Sequence, residues 1–269
     1  MPLLSKSFTP EAESLREDMM NIVVCMKRVP DTEAKLKIDA SGTNIEPSGF
    51  DYVPNPYDEY AVEEAVSLKE KVGDSEVIVL TIGPKESVTQ MRKFLSMRAD
   101  RGVLLVADTA AMDSWATAKM LADALKTIEH DIIFFGKQAV DNDNASVGVQ
   151  VAQMLGLPVV SRIVKFEHTD GKAVCEREIE GARVTVEVSL PAVFTAEKGL
   201  NEPRYPKLPD IMKAKKKPIE EREADVPESK VTVLKMEYPP ARPPGRIVGE
   251  GVEAVPELVK LLKNEAKVI

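Results

Sequence analysis

The stretch DIIFFGKQAVDNDNASVGVQVAQMLGL, residues 131–157, determines the fold that we predict for the whole chain. It begins with the apolar run Ile132-Ile133-Phe134-Phe135, which is bounded by a polar residue and a glycine and is typical of a buried parallel strand. A polar turn, residues 137–148, follows it, and the apolar spacing from Val147 onward predicts a helix. A strand, a turn and a helix N-terminus in this order gather free backbone N–H groups that bind anions.

Two carboxylates lie inside that turn, at Asp141 and Asp143. They would repel a bare phosphate, but they accept hydrogen bonds from ribose hydroxyls or from an adenine amine. The turn therefore predicts a nucleotide site with sugar and base contacts. A simpler alternative stays open, in which Asp141 and Asn144 only cap the following helix.

The composition limits what the protein does by itself. The 269 residues are 43% hydrophobic and 30% charged, as in an ordinary globular domain, and no apolar run approaches the ~20 residues that span a bilayer. A net charge of −8 argues against a nucleic-acid partner. The two cysteines and two histidines offer no disulfide framework and little for a metal or nucleophile. We therefore predict no catalytic residue, no metal, no direct membrane insertion and a reducing compartment.

Strands and helices alternate along the first part of the chain. Apolar runs at residues 22–26, 76–82 and 102–107 predict further strands, and the helix after the first of them opens at Asn55-Pro56, where proline suits a first helical position. The alternation indicates an α/β fold with a doubly wound, mostly parallel Rossmann-like sheet. Neither GxGxxG nor a P-loop is present. The first strand ends in a basic turn, residues 27–30, at the edge where such sheets bind ligands.

The pattern changes after Pro158. Alternating or apolar runs predict an antiparallel ribbon and one more strand, at residues 159–166, 173–180, 183–188 and 190–196. The polar, proline-rich sequence that follows lacks an apolar stripe long enough to pack, so we expect it to wrap around another body. An amphipathic helix around residues 255–262 would anchor on a partner.

Four motifs carry a resemblance to a known family. They are VVCMKRVPD at residues 23–31, NPYDEYAVEEAV at 55–66, GKQAVDNDNASVG at 136–148 and LNEPRYPKLPDIMKAKKK at 200–217. With these motifs the chain resembles the beta subunit of electron transfer flavoproteins from about residue 21 to its last residue. The fourth motif is long and specific, so the resemblance does not depend on composition.

The resemblance implies a heterodimer. An alpha subunit would hold the redox-active FAD, and the pair would carry electrons between dehydrogenases and a quinone-reducing or other acceptor. The expected location is the cytoplasm, or the mitochondrial matrix in a eukaryote, with any membrane association made through partners. The family's nucleotide contacts fall on these residues: Cys25, Asn55, Pro56, Tyr57, Asp58, Ile82, Gln138, Ala139, Asp141, Asp143, Asn144, Ala145, Ser146, Val147 and Gly148.

The fourth motif resembles the loop with which the family docks on dehydrogenases. Leu208 matches the anchoring leucine, and Lys213 and Lys216 match lysines that are methylated in some relatives. The expected partner contacts are Arg204, Tyr205, Leu208, Ile211, Lys213 and Lys216. Charge alone leaves a solvated face as the alternative for the lysines. The predicted division is a flexible leader (1–20), a nucleotide-binding domain (21–196), a recognition loop (197–218) and an arm with a terminal helix that packs on the alpha subunit (219–269).

The nucleotide itself is predicted from residues 113–117. Asp113 suits a helix N-cap, and the hydroxyls of Ser114 and Thr117 both face the first turn, where they could bind a phosphate. This pattern is similar to the branch of the family whose beta subunit carries its own FAD, accepts a hydride from NADH and bifurcates electrons. We therefore expect FAD. The alternative is AMP with a structural role, which the recognition loop favours, and ordinary capping would explain both hydroxyls.

A remote alternative follows from the pattern without the resemblance. A doubly wound sheet with a nucleotide site also suits a non-redox, nucleotide-sensing module. Such a module would have no flavoprotein partner.

Overall fold

A computed structural model describes residues 19–241 and 244–269 of the chain. The chain divides into two units, the first ending at Leu234 and the second spanning Lys235–Ile269. All but the last two residues of the predicted leader lie outside the described ranges. Across those ranges, no helix combines the length and hydropathy that crossing a membrane requires.

One nine-stranded sheet organises the first unit. Its strands are β1 (Met20–Met26), β4 (Ser75–Gly83), β5 (Arg101–Val106), β6 (Ile132–Gly136), β7 (Val159–Thr169), β8 (Lys172–Ile179), β9 (Ala182–Ser189), β10 (Ala192–Ala196) and β11 (Ile219–Glu223). They lie in the order β11–β5–β4–β1–β6–β10–β7–β8–β9. Every pair from β11 to β7 is parallel, and β7, β8 and β9 form an antiparallel ribbon. The predicted α/β class and mostly parallel sheet are confirmed.

Helices cover both faces of the sheet. In chain order they are α1 (Pro56–Val72), α2 (Val88–Ser96), α3 (Ser114–Leu125), α4 (Val147–Leu155), α5 (Leu208–Ala214) and α6 (Val255–Leu261). Helices α1 and α2 pack in one apolar layer, and α3 and α4 pack in the other. The last helix, α6, belongs to the second unit, where a 3₁₀ turn precedes it and a π turn follows it.

Strand β1 shows why the sheet is buried on both sides. Its side chains alternate between the two layers, with Ile22 and Val24 in the first and Val23 and Cys25 in the second. None of the four is more than 4% exposed. A continuous apolar run is the expected sequence for a strand whose two faces are both covered by helices.

The sheet extends further than the sequence analysis predicts. Strand β11 lies in the segment that we assigned to the arm, yet it pairs in parallel with β5 along its whole length. Ile219 contributes an apolar side chain to the first layer, and Gly102 N–H donates to the carbonyl of Pro218 at 3.0 Å. The other four residues of β11 are charged, which suits an edge strand but does not identify one in a sequence.

The basic turn after β1 is also more ordered than we predict. Residues Arg28–Pro30 form β2, which pairs antiparallel with β3 (Tyr52–Pro54). The guanidinium of Arg28 lies 3.6 Å from the ring centroid of Tyr52. The segment between β2 and β3 contains one isolated antiparallel bridge, between Ile38 and Ile45.

The end of β6 approaches the first turn of α1 very closely. A Cβ atom at Gly136 would lie 2.4 Å from Oδ1 of Asp58 and 2.7 Å from the carbonyl carbon of Tyr57. The second of these atoms belongs to the backbone and cannot rotate away. Glycine is therefore required at this position, and it fixes the start of α1 against the carboxyl edge of the sheet.

Replacing Gly136 by alanine should destabilise the protein by about 1–3 kcal/mol, because an extra methyl group forces the backbone apart in a packed region. The measurement is the free energy of unfolding from urea titration. Gly245→Ala is the matched control, since no atom of residues 19–241 or 244–269 lies within 4 Å of a Cβ built there. Equal free energies of unfolding for Gly136→Ala and the wild type would contradict the steric argument.

Candidate functional site

Asp58 lies at the centre of the predicted nucleotide site. It is 5% exposed, and its carboxylate accepts three N–H hydrogen bonds. The donors are Lys27 N at 2.7 Å, Asn55 Nδ2 at 2.9 Å and Gly136 N at 3.1 Å. One side chain in α1 thereby joins the carboxyl ends of β1 and β6, which are neighbours in the sheet.

Asn55 extends this frame to the polar turn. It is 1% exposed, its Nδ2 donates to the carbonyl of Gln138 at 2.8 Å, and its Oδ1 accepts from Val140 N at 3.1 Å. It stands at the N-cap position of α1 but makes no side-chain cap, because its Oδ1 accepts from Val140 across the sheet edge. Asn55 and Asp58 therefore shape the site from below.

Burial changes the acidity of this frame. Removal from water raises the pKa of the Asp58 carboxyl to about 7, although its three N–H donors oppose the rise. Burial, with a smaller effect from the Asp58 charge, also raises the pKa of the neighbouring Cys25 thiol. Cys25 is accordingly a neutral group, and its side chain packs in the second apolar layer.

The Asp58 carboxyl should make stability depend on pH. Below about pH 4 it is protonated in both the folded and the unfolded chain. Between there and its folded pKa of about 7, only the folded chain keeps the proton, so the free energy of unfolding falls as pH rises. From pH 5 to pH 8, wild type should lose about 2–3 kcal/mol more than Asp58→Asn in urea titrations.

Asp143→Asn is the matched control for this pH experiment, since it removes an exposed carboxylate from the same turn. It should retain the wild-type pH dependence. Parallel pH profiles for wild type and Asp58→Asn would contradict the raised pKa.

Side-chain contacts stabilise the conformation of the polar turn. Lys27 Nζ lies 2.5 Å from Oδ2 of Asp141, and Gln138 Nε2 donates to Asp143. The backbone turns through left-handed conformations at Asp143 and Ala145, with φ of 51° and 48°. Ala139 closes the turn by accepting from the N–H of Asp143. Lys27 lies in the basic turn that we predicted at this edge but was not among the named site residues, and its charge offsets that of Asp141.

The capping alternative for this turn is wrong. Asp141 accepts from the N–H of its neighbour Asn142, and Asn144 Nδ2 donates to Oγ of Ser114 at 3.0 Å. The N-cap of α4 is Ser146, whose side chain makes no capping hydrogen bond. The start of α4, at Val147, therefore presents first-turn N–H groups that no side-chain cap satisfies, beside the two carboxylates.

Gly148 sets the depth of α4 on the sheet. A Cβ there would lie 3.0 Å from Cγ2 of Thr195 and 3.1 Å from Cγ of Phe135. The helix N-terminus thus sits directly over the ends of β6 and β10. Ile82, near the end of β4, is partly buried against the second apolar layer on the same edge.

Tyr57 belongs to the same edge through Lys137. The ammonium of Lys137 lies 5.0 Å from the ring centroid of Tyr57 and 2.8 Å from Oε2 of Glu197. Lys137 and Glu197 were not among the predicted site residues. Their signal was weak, because a lysine and a glutamate 60 positions apart have no recognisable spacing.

The N-terminus of α3 has a different environment. Asp113 caps it, with Oδ1 accepting from Ala116 N at 2.7 Å, as predicted. The hydroxyl of Thr117 donates to the carbonyl of Asp113 at 2.8 Å, whereas Ser114 bonds to Asn144 of the turn. The structure therefore brings Ser114 to the polar turn, whereas the Thr117 hydroxyl donates its proton to the helix backbone.

A segment of the predicted arm also binds at this helix end. Lys230 N and Val231 N donate to Oδ2 of Asp113 at 2.6 and 2.9 Å, and Ser229 Oγ donates to the carbonyl of Ala111 at 2.7 Å. The ammonium of Lys230 lies 4.9 Å from the ring centroid of Trp115. No sequence pattern identifies these residues, because they are more than 100 positions from the helix end that they contact.

Most of the predicted partner contacts are exposed. Tyr205 is 95% exposed and Leu208 is 73% exposed, and Ile211, Lys213 and Lys216 also reach solvent. Residues Leu208–Ala214 form α5, a helix that the sequence analysis did not predict. Arg204 differs from the other five, because its guanidinium is paired with Glu63 and Glu70 of α1.

Comparisons with known proteins agree with this architecture. Residues 44–227 match the model of the electron transfer flavoprotein domain family. The electron transfer flavoprotein subunit beta of Syntrophomonas wolfei is 42% identical over 250 residues, which is 93% of this chain and 98% of that protein. The Bacillus subtilis protein of the same name is 40% identical over 260 residues, covering 93% of this chain and all of its own.

A third relative comes from a larger assembly. It is the caffeyl-CoA reductase-Etf complex subunit CarD of Acetobacterium woodii, which is 39% identical over 203 residues, or 74% of this chain and 77% of that protein. The fold defines the class, a doubly wound α/β protein with a polar turn at the carboxyl edge of its sheet. The chain belongs to the electron transfer flavoprotein family, as a beta subunit.

Proposed function

We propose that this chain pairs with an electron transfer flavoprotein alpha subunit and carries electrons from dehydrogenases to a quinone-reducing or other acceptor. In this role the beta subunit has two tasks, which are to hold an adenine nucleotide and to present the recognition loop. The observation that carries the proposal is the frame of Asn55 and Asp58, which holds the polar turn open at the carboxyl edge of a mostly parallel sheet.

The residues of this edge fit an adenine nucleotide. The carboxylates of Asp141 and Asp143 are acceptors for ribose hydroxyls or an adenine amine, and Lys27 offsets one of their charges. The N-terminus of α4, without a side-chain cap at Ser146, offers backbone N–H groups to a phosphate. Sugar, base and phosphate each have a complementary group within one turn and the helix that follows it.

The favoured nucleotide is FAD. Ser114 Oγ accepts from Asn144, so the N-terminus of α3 adjoins the turn and adds a second helix end to the site. Bound FAD would supply the redox chemistry, including oxidation of NADH, while the chain supplies position and electrostatics. The resemblance of residues 113–117 to the FAD-holding branch supports the same choice.

AMP is the second candidate, and one observation favours it. Asp113 already places a carboxylate at the N-terminus of α3, and the Thr117 proton is donated to the backbone, so this helix end offers less to a second phosphate. With AMP the subunit would be a structural and docking partner. A non-redox nucleotide sensor is no longer proposed, because the chain belongs to a flavoprotein family.

A cofactor count separates FAD from AMP. The chain would be purified with its natural alpha subunit, heated to release nucleotides, and analysed by chromatography. Two FAD per heterodimer and no AMP is the expected result. One FAD with one AMP would assign the structural role to this subunit.

Ser114→Ala should lower the FAD content of the heterodimer to about one per complex, because the variant removes the hydroxyl at the junction of α3 and the turn. Thr117→Ala is the internal comparison, since its hydroxyl proton is donated to the backbone of Asp113. It should change FAD content less than Ser114→Ala does. If the variant that combines Ser114→Ala and Thr117→Ala retained two FAD per heterodimer, these hydroxyls would not be FAD-binding groups.

Leu208→Ala tests the docking task. The exposed leucine offers an apolar anchor to a partner pocket. In an assay where the heterodimer accepts electrons from its dehydrogenase, truncation of this leucine should raise the KM of the dehydrogenase for the heterodimer by about 10- to 100-fold. Nucleotide content should stay the same.

Ile45→Ala, at another exposed aliphatic residue, is the control and should leave KM unaltered. An unaltered KM in Leu208→Ala would sink the docking assignment.

A further inference from the structure

A cluster of charges ties the recognition loop to α1. We name it the ion clamp, and it consists of Glu63, Glu70, Arg98, Arg204 and Asp210. The guanidinium of Arg204 holds Glu63 in a bidentate pair, with Nε to Oε2 and Nη2 to Oε1 both at 2.9 Å. Its Nη1 donates to Oε1 of Glu70 at 2.7 Å. The backbone N–H of Arg204 also donates to Oε2 of Glu63, at 2.9 Å.

The inner pair of the ion clamp is shielded from water. The side chain of Glu63 is 8% exposed and that of Arg204 is 23% exposed. A carboxylate this buried needs a partner, because an unpaired buried charge is strongly unfavourable. The guanidinium fork matches the planar carboxylate, so a lysine would not replace it fully. Hydrogen bonding to Arg204 also lowers the pKa of Glu70.

The outer part of the ion clamp reaches α5. Arg98 follows the end of α2 with φ of 85°, a left-handed conformation that a non-glycine residue seldom adopts. From there its Nη1 lies 3.1 Å from Oε1 of Glu70 and its Nε lies 3.4 Å from Oδ2 of Asp210. Glu70 is therefore shared by two arginines, and the first turn of α5 is linked through them to α1.

The ion clamp brackets the exposed anchors. Tyr205 and Leu208 stand between Arg204 and Asp210, and both project into solvent. The far end of the loop is fixed separately, since Arg92 Nη1 donates to the carbonyls of Ala214 and Lys217, both at 2.6 Å. A segment held at both ends loses less conformational freedom when it docks, and that loss otherwise opposes binding.

We infer that Arg204 is a positioning residue that holds Tyr205 and Leu208 in the geometry that enters an apolar pocket of the partner, and that it acts through Glu63 and Glu70 without contacting the partner. The inference rests on the proposed function, because it takes the loop to be the docking element. It replaces the direct partner contact expected for Arg204. The partner would meet the exposed anchors, while the arginine stays beneath them.

Hydrogen exchange on the heterodimer without any dehydrogenase tests the ion clamp directly. Arg204→Ala should speed exchange of the amides of Asp210, Ile211 and Met212 by about tenfold, because the local opening becomes easier. Glu63→Gln should do the same, since it breaks the same pair from the other side. Lys207→Ala is the matched control, because Lys207 forms no salt bridge with any described residue, and it should leave exchange unaltered.

Steady-state electron transfer tests the consequence for docking. Arg204→Ala and Glu63→Gln should each raise KM for the heterodimer, with its dehydrogenase as donor, by about tenfold, and leave kcat within about twofold. The double variant should resemble the more affected single variant, because both changes break one interaction. If Arg204 contacted the partner instead, Arg204→Ala would raise KM while Glu63→Gln would leave KM and exchange unchanged, and that result would overturn the inference.

The outcomes separate this inference from the proposed function. Unaltered transfer in Leu208→Ala refutes docking by the loop, whereas the exchange experiment still measures the ion clamp. A raised KM in Leu208→Ala with normal exchange and KM in Arg204→Ala refutes the positioning role alone. If Arg204→Ala does not fold, Arg204→Lys replaces it and should exchange at an intermediate rate, because lysine keeps the charge without the fork. Wild-type exchange in Arg204→Lys and Glu63→Gln would also overturn the role.

Discussion

The arrangement of the carboxyl edge of the sheet depends on the hydrogen bonds of the buried Asp58 carboxylate. This carboxylate joins three chain segments that are far apart in sequence, the end of β1, the start of α1 and the end of β6. The N–H groups at strand ends lack ladder partners, and a buried N–H without a partner is costly. One acidic side chain satisfies two of these backbone donors. It thereby fixes where the polar turn leaves the sheet.

Helix α1 supports both surfaces that the proposed function needs. Its first turn carries Asp58, which binds the N–H of Gly136 just before the polar turn. Its later turns carry Glu63 and Glu70, which bind Arg204 of the recognition loop. Asn201 adds a further tie, since its Nδ2 donates to the carbonyl of Tyr60 at 3.0 Å. The polar turn and the recognition loop are therefore tied to the same helix of 17 residues.

The sequence predicts the parts of the fold that depend on local pattern. Apolar runs identify β1, β4, β5 and β6, and the polar turn lies after β6, where the sequence predicts it. It does not predict β11, whose charged residues pair with β5 only because the edge of the sheet is free to accept them. The sequence also does not predict contacts such as Lys230 with Asp113 and Arg204 with Glu63, for a related reason. They join residues more than 100 positions apart, and no spacing rule covers such pairs.

The buried acids of α1 are an inefficient way to gain stability. As whole residues, Asp58, Glu63 and Glu64 are 5%, 6% and 7% exposed, and burial raises the pKa of Glu64 as well as that of Asp58. Apolar side chains in their place would often give an equally or more stable helix, because desolvation offsets much of the attraction in a buried ion pair. Apolar residues could not supply the directional geometry of hydrogen bonds. The Asp58 carboxylate binds particular N–H groups, and the Glu63 carboxylate binds one guanidinium group. Each of these acids therefore specifies where a turn or loop must lie. In the proposed function, those are the segments that contact the nucleotide and the partner.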